Sequence, residues 1–208
     1  MSGRTDPPLF LIVAGPNGSG KSSAYGNTDV ESIGRSVWII NPDLLAARIR
    51  DVERLALTEA NLEAVRRIER WLESSIEAHQ SIGVETVLST SKYRRLVEKA
   101  KGLGFEVGLI YVILQTPELN VERVRLRVLK GGHAVPEDKI VERYWRSLDQ
   151  LPWFLQEADK AWLYDNSGAS PKLIGQKARG TVTLDHDALA PIVAAVENVA
   201  AVEKIRSN

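Results

Sequence analysis

An α/β fold with a mainly parallel sheet covered by helices is the class this sequence predicts, and three observations predict it. Short apolar runs alternate with longer amphipathic ones, the first apolar run opens directly into a glycine-rich turn, and two amphipathic runs start on a capping residue followed by proline. The apolar runs are Leu9 to Ala14, Val37 to Ile40, Ile82 to Leu88, Phe105 to Leu114 and Ala161 to Tyr164, with Thr181 to Leu184 as a sixth at the edge. A sheet of five or six strands follows. Runs without alternation belong to strands buried on both faces.

Between the strands lie helical patterns. Leu62, Val65, Ile68, Leu72 and Ile76 recur at spacings of three and four, which makes one apolar stripe. Asn41-Pro42 and Thr116-Pro117 each read as an N-cap followed by a first-turn proline. Gly102 and Gly104 end a helix that starts near Ser91, and Gly131-Gly132 ends the one that starts at Pro117. A helix from Pro136 to about Gln150 carries Ile140, Tyr144 and Leu148 on one face, and Asp185 caps a last helix to about Arg206. The tryptophans (38, 71, 145, 153 and 162) are assigned to packing. No linker divides the chain, so residues 1–208 are read as a single domain.

Composition narrows the function classes. The 208 residues hold 27 Lys+Arg against 27 Asp+Glu, and a balance of zero argues against a general nucleic-acid or membrane-surface binder. The absence of cysteine removes disulfides, thiol catalysis and cysteine-ligated metal. His79, His133 and His186 lie too far apart for a histidine metal cluster. The apolar run at Leu9 to Ala14 is too short for a secretory core or a membrane span, so a cytoplasmic protein is expected.

Gly15-Pro16-Asn17-Gly18-Ser19-Gly20-Lys21-Ser22 fits GxxxxGK[ST] at every fixed position, with an apolar strand before it and a helix start, including Ser23, after it. Glycines let the backbone turn successive N–H groups inward, and the following helix N-terminus adds positive potential. Lys21 would reach the β- and γ-phosphates of ATP or GTP, and the Ser22 hydroxyl would ligate Mg²⁺. The expected architecture is therefore a three-layer P-loop NTPase fold.

In parallel sheets the ligand crevice lies beyond the carboxyl ends of the strands. Asp43, just after the second run, either takes the proton of an attacking hydroxyl or complements a helix dipole. Glu85 sits inside an apolar run, where a charge is costly unless paired or liganded. It would hold an acceptor hydroxyl or a magnesium-bound water, or lie in solvent at an edge. No run ends in the apolar-apolar-apolar-Asp of a Walker B strand at the expected place, a pattern that leans towards a small-molecule kinase over a dedicated ATPase.

A short helical lid is expected over about 123–146. Arg123, Arg127 and Lys130 share one helix face, as do Lys139, Arg143 and Arg146 on the next, around the corner Gly131-Gly-His-Ala-Val-Pro136. Seven basic residues there, Arg125 included, stand against Glu137, Asp138 and Glu142, with Glu122 just before. Two basic stripes on a glycine corner would fold over a triphosphate, stabilise the transferring phosphoryl group and exclude water. Two solvated faces and a nucleic-acid patch are the alternatives. Asp165-Asn166-Ser167-Gly168 reads as a turn after the fifth strand.

GPNGSGKSS (15–23), NPD (41–43), ETVLST (85–90), RVLKGGHAVPEDKIVERYWRSL (127–148) and YDNSG (164–168) together resemble the zeta-toxin family of P-loop kinases. The resemblance implies ATP- or GTP-dependent phosphorylation of a small acceptor with Mg²⁺. In toxin members the acceptor is a UDP-N-acetyl amino sugar. By position it implies Lys21 and Ser22 as phosphate and magnesium residues, Asp43 as catalytic base, and Glu85, Thr86 and Ser89 on the acceptor-binding strand. Arg127 and Arg143 match the lid arginines. Nucleic acid and membrane are not expected partners, and an antitoxin protein is a possible one. Two other readings remain: a nucleotide-binding toxin or switch module without transfer of its own, and an ATPase coupled to a partner.

Overall fold

The computed structural model describes residues 6–22, 37–197, 199 and 202–204. β1 (Leu9–Ala14) is buried at every position, as its unbroken apolar run requires. It pairs in parallel with β3 (Ile82–Thr86) on one side and β4 (Glu106–Ile113) on the other. β2 (Ile39–Ile40) pairs beyond β3 and β5 (Lys160–Asp165) beyond β4, both in parallel. β6 (Lys172–Ala178) and β7 (Thr181–Leu184) add an antiparallel hairpin, and β8 (Val202–Lys204) pairs in parallel with β7. The order is β2-β3-β1-β4-β5-β6-β7-β8, eight strands among the described residues.

The α/β class and mainly parallel sheet agree with the sequence reading, and the sheet extends past it by β6 and β8. β6 (KLIGQKA) has no unbroken apolar run, carries a glycine at its centre and buries only Ile174, Gly175 and Lys177, so its pattern gives little strand signal. Its turn is formed by Arg179 and Gly180, with φ of 51° and 84°. Two positive φ values in a two-residue hairpin loop match the twist of the flanking strands. Where one helix is expected from Asp185 to about Arg206, the described residues form α6 and β8, and Arg206 lies outside them. Asp185 still donates its N–H to Ile174 O, and α6 (Ala190–Val196) starts only where Pro191 fits the first turn.

α1 (Pro42–Glu53) starts at its Asn41 cap. α2 (Leu57–Glu77) buries Ala60, Ala64, Ile68, Leu72 and Ile76. The expected stripe is thus right from Ile68 onward but turned at its start, where Leu62 is exposed and two alanines allow close packing against α1. α3 (Arg94–Gly102), α4 (Pro117–Leu129) and α5 (Glu137–Glu157) complete the helices that carry the site. α5 runs on through Pro152 because Leu151, Phe154 and Leu155 enter the core.

One sheet face builds the main core with α2, α3, α5 and α6; Leu9, Leu11, Val13, Ile110 and Val112 form a buried cluster on the other. Packing does not account for every tryptophan. Trp38, Trp71 and Trp145 are exposed, with the Trp38 and Trp71 rings meeting edge-on at 4.9 Å. Among the described residues no helix is long and apolar enough to cross a membrane.

Candidate active site at the carboxyl ends of β1, β2 and β3

The parallel register delivers three chain segments to one place. Val13 lies beside Glu85 and Ile40 beside Val84, so β1, β3 and β2 end together in Gly15, Glu85 and Asn41. The loop closes with a turn in which Ser19 N–H bonds Pro16 O at 3.3 Å. Lys21 is buried and donates to Gly15 O at 2.8 Å and Pro16 O at 3.1 Å, with Glu85 Oε1 at 4.0 Å. Burial pushes the Lys21 ammonium below its ordinary value, against the pull of Glu85 and Asp43; nearby Arg127 adds to the push. A group so strained towards neutrality gains from an anion in the loop.

Glu85 is neither at an edge nor in solvent. Its Oε2 accepts from Ser22 Oγ at 2.8 Å and from Asn41 Nδ2 at 2.9 Å. Asn41 Oδ1 meanwhile caps α1 through the N–H groups of Asp43 and Leu44, at 2.9 and 3.1 Å. One asparagine therefore fixes the carboxylate of β3 and the helix start that carries Asp43. No run ends in a Walker B aspartate, yet a strand acid, Glu85, stands beside the loop hydroxyl. The acid lies inside the run rather than at its end, because β3 approaches the loop one residue before Thr86.

Asp43, Glu85, Thr86, Ser89, Lys21, Arg127 and Arg143 all line one cavity of about 250 Å³. The structure thus gathers the expected base, acceptor-strand and lid residues. Thr86 Oγ1 accepts from Leu88 N–H at 3.0 Å, and Leu88 takes a left-handed φ of 58° that turns the chain towards Ser89. Ser23 lies outside the described residues, as does the rest of the helix expected after the loop.

Of the two basic stripes, one faces the loop and the other only in part. Arg123, Arg127 and Lys130 line a second cavity of about 520 Å³ beside Gly18, Gly20 and Asn166. Arg143 Nη1 reaches Asn17 Oδ1 at 3.3 Å, but Lys139 and Arg146 pair with Glu142, and Arg125 with Glu137. The i, i+4 rule places side chains on a face without saying which member reaches the ligand. Arg127 Nη2 donates to His133 O at 3.0 Å, so the glycine corner holds this arginine by its backbone.

Sequence reasoning missed Asn120, and read Asn166 only as part of a turn. Both bond the loop's carbonyls. Asn120 had a signal: it lies between Pro117 and Val124 in the buried stripe of α4, where an amide needs a reason.

Comparison with known proteins bears on this geometry directly. The zeta-toxin profile matches residues 2–169, which spans the loop, the strand ends and the lid. The chain belongs to the zeta-toxin family. A Haemophilus influenzae relative, described only as an uncharacterized protein, is 32% identical over 136 residues, covering 64% of this chain and 91% of its own. Among solved structures, the AvrRxo1-ORF1:AvrRxo1-ORF2 complex with sulphate ions aligns at a TM-score of 0.65 and 18% identity, over 88% of this chain. The alignment spans 62% of that longer chain. The PezAT toxin-antitoxin system of Streptococcus pneumoniae aligns at a TM-score of 0.57 and 17% identity, over 85% of this chain and 75% of its own. At such identities the structures share the fold.

The donors beside the loop fit the cation that a phosphate loop uses. Ser22 and Glu85 offer a hydroxyl and a carboxylate side by side, the hard oxygen ligands that suit Mg²⁺.

Proposed function

We propose that this chain is a phosphotransferase that moves the γ-phosphoryl group of ATP or GTP to a hydroxyl of a small-molecule acceptor. The single observation that carries the reading is the shared cavity. It places a carboxylate (Asp43), a phosphate-loop lysine (Lys21) and two lid arginines (Arg127, Arg143) around one space.

The division of labour follows from position. The loop's backbone N–H groups and Lys21 hold the phosphates. Ser22, with Glu85 hydrogen-bonded to it, would hold Mg²⁺, which would supply charge neutralisation for the transferring phosphate. Asp43 lines the cavity and takes the acceptor's proton as its oxygen attacks the γ-phosphorus. The bond between that phosphorus and the β–γ bridging oxygen breaks, and the nucleoside diphosphate leaves. Arg127 and Arg143 offset the charge spread over the phosphoryl oxygens. Thr86 and Ser89 line the acceptor side of the same cavity. The second cavity, beside Arg123 and Asn166, would receive the base.

Membership of the zeta-toxin family supports a UDP-N-acetyl amino sugar as the acceptor to test first. The structural likeness to PezAT, a toxin-antitoxin system, supports an antitoxin protein as a partner. Incubation with γ-labelled ATP, Mg²⁺ and a metabolite extract, followed by mass spectrometry, tests the reading. A newly phosphorylated metabolite is expected, with sugar nucleotides examined first. Label recovered only as inorganic phosphate would contradict it.

A further inference from the structure

We propose that Asn120 and Asn166 are positioning residues that set the direction of the phosphate loop's peptide planes. This rests on the phosphate-binding reading above. Asn120 Nδ2 donates to Asn17 O at 2.7 Å, and Asn166 Nδ2 donates to Ser19 O at 2.8 Å. They come from two separate elements, one from α4 and one from the residue after β5. Asn120 is fully buried and Asn166 is 7% exposed.

The consequence follows from peptide geometry. In a planar trans peptide the C=O of one residue and the N–H of the next point in opposite directions. Holding Asn17 O towards Asn120 therefore turns Gly18 N–H away from it. Holding Ser19 O towards Asn166 does the same for Gly20 N–H. Those are the amides a phosphate loop turns towards its anion. Ser19 N–H, between them, is already used in the turn to Pro16 O.

The glycines fit the same clamp. A Cβ on Gly18 would stand 2.7 Å from Asn120 O, and one on Gly20 would stand 2.2 Å from Asn166 Nδ2. Both glycines have positive φ, 79° and 83°, where the backbone is free to flip a neighbouring peptide plane. The asparagines remove that freedom.

The support differs from ordinary packing in one respect. Asn120 Oδ1 is buried with no hydrogen-bond partner, a cost that an apolar side chain of the same shape avoids. Its retention fits a need for the donor on Nδ2. Asn166 is itself anchored, since its N–H bonds Ile113 O at 2.9 Å and its carbonyl accepts from Arg123 Nη2 at 2.7 Å.

The test compares wild type with Asn120→Leu and Asn166→Leu, and with the alanine variants where a leucine does not fold. Binding of MgATP and of inorganic triphosphate with Mg²⁺ is titrated by calorimetry, and melting is followed without ligand. Each variant is expected to weaken both ligands by the same factor, about tenfold, in protein that remains folded. Loss of ATP affinity with triphosphate affinity unchanged would make Asn166 a base contact and overturn the clamp. A lower melting temperature with both affinities unchanged would overturn it too, by showing a structural role alone. Wild type that binds neither ligand would reject the phosphate-loop reading itself, and the clamp with it.

Discussion

Ser22 Oγ donates to Glu85 Oε2 at 2.8 Å, which couples the loop's hydroxyl to a carboxylate on the neighbouring strand. The pair is built by register, since β3 runs parallel to β1 with Glu85 beside Val13. Glu85→Gln keeps the shape and removes the charge. The magnesium concentration at half-maximal ATP binding is expected to rise about tenfold, with ATP affinity in the absence of magnesium little changed. A calorimetric titration of ATP against increasing Mg²⁺ measures both.

Asp43 is held at the start of α1 by the Asn41 cap rather than by the phosphate loop. Asp43→Ala is therefore expected to bind MgATP as wild type does. The rate of transfer to the acceptor is expected to fall by about 10² to 10⁴, the usual contribution of a positioned base. Single-turnover kinetics beside equilibrium binding separates the two effects. Normal transfer would remove Asp43 from the role.

Lys21 gives a pH dependence whose sign can be worked out. Burial lowers its pKa in the folded chain, so between that value and the unfolded value near 10.5 the unfolded chain holds more protons. Stability from this group therefore rises with pH across that alkaline window. Without nucleotide, wild type is expected to gain stability over Lys21→Met as pH rises towards 10.5. Denaturant melts of both proteins at several alkaline pH values check the slope. An opposite slope would mean that Lys21 is stabilised as a cation in the empty loop.

The two glycines of the lid corner are expected to behave differently. A Cβ on Gly132 would stand 2.5 Å from Arg127 Cγ and 2.9 Å from Arg127 O. Gly132→Ala would displace Arg127, and turnover is expected to fall about hundredfold for a shift of about 1 Å. Gly131 has φ of 86° and open space around it, so Gly131→Ala is expected to cost about 1 kcal/mol of stability with a smaller effect on turnover. Melting curves and steady-state kinetics of the two variants make the comparison.

Tyr144 ties the lid helix to the sheet. Its hydroxyl donates to Leu114 O at 2.9 Å from a fully buried ring. Tyr144→Phe leaves that carbonyl without this partner, at an expected loss of about 1.5 kcal/mol. For a chain of this size that is a fall of about 5 °C in melting temperature, measurable by calorimetry.

How far the sequence carries depends on the kind of signal. β1, β4 and the loop are legible because burial on both faces leaves an unbroken apolar run, and the loop's chemistry demands its glycines and Lys21 at fixed spacing. β6 is not, because its strand has only a two-residue apolar run before its central glycine and its Arg179-Gly180 turn lacks the usual asparagine. The site residues Asp43, Glu85, Arg127 and Arg143 can be named from strand ends and helix faces. Their pairing cannot: that Glu85 meets Ser22, that Arg143 reaches Asn17, and that Asn120 reaches Asn17 are facts of tertiary contact. The α2 stripe shows the same limit, since Leu62 has the right period but Ala60 and Ala64 win the interface with α1 by size.

The most direct test of phosphoryl transfer is ADP formation from ATP with and without a metabolite extract, for wild type and for Asp43→Ala. The expected result is a large rise in wild type when the extract is added, and no such rise for the variant. ADP formed at the same rate without any acceptor, and unaffected by loss of Asp43, would contradict a kinase and point to hydrolysis.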